Sequence, residues 1–139
     1  MADFDWVTAR SKCSAVSLFK ELQLGVEADV EKRNGLRRND EHTEFHFKRA
    51  GETRFSVIRE ADGEDSMSVD FYLDKGVINV DGATGKHVFN VGLNDQGKCV
   101  ARIIEIEEST EFELWQVRRK ALEYLFWPLK LVVERIGKK

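Results

Sequence analysis

The sequence predicts an α+β fold: an antiparallel meander of five or six strands packed against two long terminal helices, the second kinked or ended at Pro128. Three observations predict it. From Phe4 to Val30 apolar residues recur at three- and four-residue steps. From Phe45 the step shortens to two, with polar, glycine-containing turns between the runs, and helical spacing returns after Ser109. No helical crossover separates the extended runs, which argues against a parallel, Rossmann-like sheet.

The first helix is expected from about Asp5 to Arg33. Val7, Ser11, Ala15, Leu18, Leu22, Val26 and Val30 fall along one side, leaving Arg10, Lys12, Glu21, Glu27, Glu31 and Lys32 wet. Asp3 or Asp5 can cap its first amides, and Asn34-Gly35 supplies a left-handed stop. Gly25 weakens the middle and is the expected point of any division into two helices.

Phe45 and Phe47 then alternate with His46 and Lys48, and Phe55 and Val57 share a face after the turn at Arg49–Glu52. ADGEDS leads to the alternating row Met67, Val69, Phe71 and Leu73. Turns at Asp74-Lys75-Gly76, Asp81–Gly85 and Asn94–Gly97 separate VINV, KHVFNVGL and KCVARIIEIE. VINV is short enough to merge with a neighbour, hence the choice between five strands and six.

The second helix is expected from about Glu111 to Phe126 or Trp127, opened by a capping box of Thr110 and Glu113. Leu114, Val117, Ala121 and Leu125 form its apolar row, widened by Trp115, Leu122 and Phe126. Pro128 lacks an amide proton and restricts Trp127, so LKLVVERI continues as another helical section or packs as a tail.

The 139 residues fit a single domain, 1–139, and 42% hydrophobic content is enough to sustain one core. With 22 basic and 25 acidic residues the formal charge is -3, which lacks the broad positive field of a nonspecific nucleic-acid binder. Acids interrupt the cluster of Arg33, Arg37, Arg38, Lys48, Arg49 and Arg54, and no RNA-binding or zinc-finger pattern is present. No apolar run reaches the roughly 20 residues that span a bilayer. The opening residues carry no signal-peptide pattern, so a cytoplasmic location is expected. Cys13 and Cys99 lie in apolar patterns without CxxC or a local histidine, and are expected as buried free thiols.

Local chemistry is sparse. Asp81-Gly82-Ala83-Thr84-Gly85-Lys86 lacks phosphate-loop spacing, has His87 where a hydroxyl is needed, and reads as a hairpin turn. His42 and His46 are four apart on extended chain, roughly 13 Å, too far to share a metal. The acidic run from Glu105 to Glu113 favours the entrance of the second helix by its charge. No GxSxG turn or cysteine–histidine neighbour suggests a nucleophile, so catalytic residues stay unassigned, and no metal or cofactor is expected.

Interaction therefore leads the functional expectations. The apolar content near the C-terminus exceeds a narrow stripe, with Trp115, Leu122, Phe126, Trp127, Leu131 and Ile136 as interface candidates. They suit a small homodimeric adaptor or chaperone-like subunit, or a partner protein's docking face. The competing outcome is that a bend at Pro128 wraps them onto their own core. The alternative function is small-ligand binding on the polar sheet face by His46, Arg54, Asp70 and Tyr72, joined by Arg59, Asn90 and Arg102 if the register differs from simple alternation. An enzyme of unassigned reaction is third.

Overall fold

In the computed structural model, which describes residues 3–38, 41–82, 85–103 and 110–128, each strand pairs with the one before it. The elements run α1 (Trp6–Lys12), α2 (Ala15–Gly35), β1 (Thr43–Arg49), β2 (Arg54–Ala61), β3 (Met67–Asp74), β4 (Val77–Gly82), β5 (Gly85–Leu93), β6 (Cys99–Ile103), β7 (Glu111–Phe112) and α3 (Leu114–Phe126). The sheet is an antiparallel meander in the order β1-β2-β3-β4-β5-β6-β7. Among the described residues it thus holds seven strands where five or six are expected. VINV stays separate because Lys75 and Gly76 both adopt positive φ, 54° and 77°, which closes a tight two-residue hairpin with the twist of its strands. Glu111–Phe112, expected as helix, instead adds the seventh strand beside Ala101 and Arg102.

Alternation places the core as the sequence requires. Phe55 and Val57 of β2 lie opposite Phe71 and Val69 of β3, and Phe71 and Leu73 opposite Val80 and Ile78 of β4. Ile78 meets Phe89, which meets Ile103. The Phe55 and Phe71 rings stack with centroids 4.6 Å apart, and Phe19 of α2 covers Phe55 at 5.1 Å. Leu18, Leu22, Val26 and Val30 of α2 and Val117, Leu122, Leu125 and Phe126 of α3 bury themselves in the same core cluster.

The N-terminal helix is divided, but at Cys13–Ser14 and not at Gly25. Ser14 is extended, and its hydroxyl accepts the Ser17 amide at 3.1 Å while Ser17 Oγ accepts the Ser14 amide at 3.3 Å. This reciprocal cap gives α2 its own start. Gly25 lies inside α2 for a different reason. A Cβ there would sit 2.7 Å from the Arg118 guanidinium, which crosses α2 at that point to donate from Nε to Asp29 at 2.7 Å. Gly25 is the gap through which α3 is pinned to α2.

Cys13 and Cys99 form a disulfide, which corrects the expectation of free thiols. Their Cα atoms are 5.4 Å apart although 86 positions separate them in the chain. Sequence spacing could not show this, since only the folded meander brings the start of β6 beneath the α1–α2 junction. The bridge matters for α1, which buries no residue of its own. Its other anchor is the Phe4 ring, packed so closely on Gly97 that a Cβ there would lie 2.6 Å from it.

The free edge of β1 is covered by the end of α2. The Asn34 amide donates to Phe45 O at 2.8 Å and accepts from Phe45 N at 3.0 Å, and Arg37 donates to Thr43 O at 3.2 Å. At the other end of the molecule α3 starts at Leu114, its opening secured by Gln116 accepting the Glu113 amide at 2.8 Å, in place of the expected Thr110–Glu113 box. It stops at Phe126, before Pro128. The segment LKLVVERI and the acids Glu105 to Glu108 lie outside the described residues. Among the described residues no helix is long and apolar enough to cross a membrane.

The disulfide should stabilise the domain by about 2–4 kcal/mol. Urea denaturation with and without reductant, and of Cys13→Ser, should show matching losses in that range. A denaturation curve indifferent to reductant would mean that the bridge carries no load.

Candidate functional site: the seam between α2 and α3

Arg33 occupies the point where α2, α3 and the sheet edge meet. It lies three residues beyond Val30 on the buried row of α2 and is only 7% exposed. A buried guanidinium needs partners on every side. Its Nε and one terminal nitrogen donate to the Phe126 carbonyl at 3.3 and 3.1 Å, satisfying the end of α3, where a cation also suits the helix dipole. The same terminal nitrogen pairs with Glu41 at 2.5 Å. The guanidinium carbon lies 5.0 Å from the Phe45 ring centroid and 5.3 Å from that of Trp127. The hydrogen bond from Arg33 holds the Glu41 carboxyl below its ordinary value of 4.5, with burial opposing and the Arg38 amide assisting.

Above this anchor the two helices leave a groove of about 370 Å³. Leu122 and Phe126 form its floor and are buried, so these two of the expected interface residues belong to the core and present little surface. Trp115 and Trp127 stand at its two ends, 49% and 57% exposed. Leu36, which follows the expected helix stop at Asn34-Gly35 and carries no periodic signal, is 63% exposed on the opposite wall. Asp29, Lys32, Arg118, Arg119 and Glu123 make the rim, with Arg118 paired to Asp29 and Arg119 to Glu123 at 3.4 Å. Leu131 and Ile136 lie outside the described residues.

The polar sheet face does not gather the residues expected for a ligand site. Arg54, Asp70 and Tyr72 do meet: Arg54 lies 3.9 Å from Asp70 and 5.2 Å from the Tyr72 ring centroid, and Ser56 hydrogen-bonds Asp70. Lys86 approaches the same ring from β5 at 5.7 Å, and its ammonium is held more basic by the Tyr72 hydroxyl. His46 is separate, at 3.6 Å from both Glu44 and Glu60. Asn90 and Arg102 face each other across β5 and β6, where Arg102 pairs with Glu111 at 3.1 Å. Arg59 shares the parity of Phe55 and Val57 and therefore lies on the helix side of the sheet, buried to 7% exposure. These are ordinary cross-strand pairs at scattered places. Among the described residues no group of three or more metal-ligating side chains converges.

The class defined here is an antiparallel meander backed on one face by two crossing helices, with a tryptophan-ended groove on the outside of the helical layer. Compared with models of protein families, with curated proteins and with solved structures, the chain shows no significant match.

The Arg33–Glu41 pair makes a pH-dependent prediction. Because the folded pKa of Glu41 is depressed, its stabilisation is in place above about pH 4.5 and is lost as pH falls through the lower folded value. Urea denaturation of Glu41→Gln should show a deficit at neutral pH that shrinks as the pH falls below about 4.5 and through the lower folded value. Arg33→Met should cost about 2–3 kcal/mol at neutral pH, since hydrogen bonds from a charged group are lost at a buried position.

Proposed function

We propose that the chain is a protein-interaction domain that self-associates through the α2–α3 groove, as a small homodimeric adaptor. The observation that carries the reading is the pair of half-exposed tryptophans, Trp115 and Trp127, bracketing one groove with Leu36. Large aromatic side chains kept partly in water forfeit much of the burial energy available to them, and such residues dominate the energetics of protein contacts. The rim supports a second copy as the occupant. Asp29 and Glu123 share it with Lys32, Arg118 and Arg119, so a patch set against its own copy about a two-fold axis meets both signs of charge. A rim of one sign would repel itself.

This reading assigns no reaction to the chain. Small-ligand binding on the sheet face, its former rival, is not favoured, because the named side chains disperse over both faces. The disulfide weighs against the cytoplasmic location expected from the sequence, since such bonds persist where thiols are not kept reduced.

Sedimentation velocity over a wide concentration range should reveal a monomer–dimer equilibrium. Trp115→Ala should weaken dimerisation by about thirtyfold, the equivalent of a 2 kcal/mol anchor, without changing the circular dichroism of the monomer. Trp127→Ala should act in the same direction. A chain that stays monomeric at every concentration would dispose of the self-association reading.

A further inference from the structure

Beside Trp127 and Pro128 the space between helices and sheet opens into a second cavity, of about 550 Å³, on the other side of Arg33 from the groove. Its apolar wall includes Phe126, Trp127 and Pro128. Leu36 and Thr43 also line it, and three guanidinium side chains, Arg33, Arg38 and Arg59, face a single carboxylate, Glu41. That carboxylate is already committed to Arg33.

Among the described residues the other two arginines are incompletely paired. Arg59 is more than nine-tenths buried, its Nε has no hydrogen-bond partner, and its ion contact with Glu64 is long at 3.5 Å. A guanidinium removed from water without full pairing is costly. Arg38 makes no side-chain ion pair among the described residues, although it faces the same cavity.

We infer that this cavity is a binding site for a small organic carboxylate carrying an apolar body. The carboxylate matches the planar donor fork of arginine and supplies the charge that Arg38 and Arg59 lack. The apolar body lies against Trp127 and Phe126, out of water. The volume falls in the range of small-molecule sites, and a wall that combines apolar with cationic side chains selects against both a bare inorganic anion and a neutral lipid. The cavity shares Arg33, Leu36, Phe126 and Trp127 with the groove, whereas Trp115 and the charged α2–α3 rim lie outside it, so Trp115→Ala separates carboxylate binding from self-association.

Isothermal titration of the full chain with octanoate tests it, with octanol and inorganic phosphate as controls. Octanoate should bind saturably with a Kd below about 1 mM, and octanol and phosphate at least about tenfold more weakly. Arg38→Gln, at an exposed position, should weaken octanoate about tenfold while leaving the fold intact, and Arg59→Gln should do so where it folds. Trp115→Ala should leave octanoate binding unchanged. No octanoate binding at about 5 mM, equal binding of octanol or of phosphate, or full affinity in Arg38→Gln would each overturn the assignment.

Discussion

Arg33 leaves the last turn of α2, passes between the rings of Phe45 and Trp127, and reaches the final carbonyl of α3 and the carboxylate of Glu41. Four parts of the molecule are positioned by that one side chain: the end of each long helix, the first strand and the loop before it. Neither helix end could be left there without it. The α3 terminus carries unpaired carbonyls close to the core, and Phe45 and Trp127 would lose the cation that lies over their rings. Farther along the seam, Arg118 repeats the device by reaching over Gly25 to Asp29. The two helices are thus joined by apolar packing at their base and by two arginines at their flanks. That arrangement keeps the groove between them open, because the side chains that could close it are held sideways.

The strands were legible because a half-buried strand writes its burial into the parity of its residues. Phe45, Phe55, Val57, Val69 and Phe71 are all found where alternation puts them, and the same parity sends Arg59 to the helix side. The helix boundaries were less legible. Ser14 and Ser17 form a reciprocal cap without the glutamate or glutamine that normally betrays one, while Gly25, which looks like a breaker, serves a residue of α3 far away in sequence. The bridge between Cys13 and Cys99 has no local signature at all. Helical spacing set Trp115, Leu122 and Phe126 beside the apolar row of α3, but could not divide floor from rim. That division depends on how closely α2 approaches, which is set by Gly25 and Arg118.

The groove and the arginine-lined cavity share Arg33, Leu36, Phe126 and Trp127, and lie on either side of them. Trp127 is therefore a wall common to both, with the Arg33 guanidinium over its ring. A change that reorients its ring alters both surfaces together. The two openings differ in charge, however. The groove's rim balances its acids and bases, whereas the cavity is left with an excess of guanidinium groups, so each favours a different kind of occupant.

The amide of Asn34 stands in for a neighbouring strand, meeting both the donor and the acceptor of Phe45, and Arg37 occupies the Thr43 carbonyl. Part of β1's outer backbone is spoken for by side chains from the preceding helix. An extended peptide seeking to add itself to the sheet would have to displace them before gaining any backbone bond of its own. Recruitment by strand addition is discouraged at this margin, and recognition is directed towards side chains, where shape and charge can discriminate among visitors.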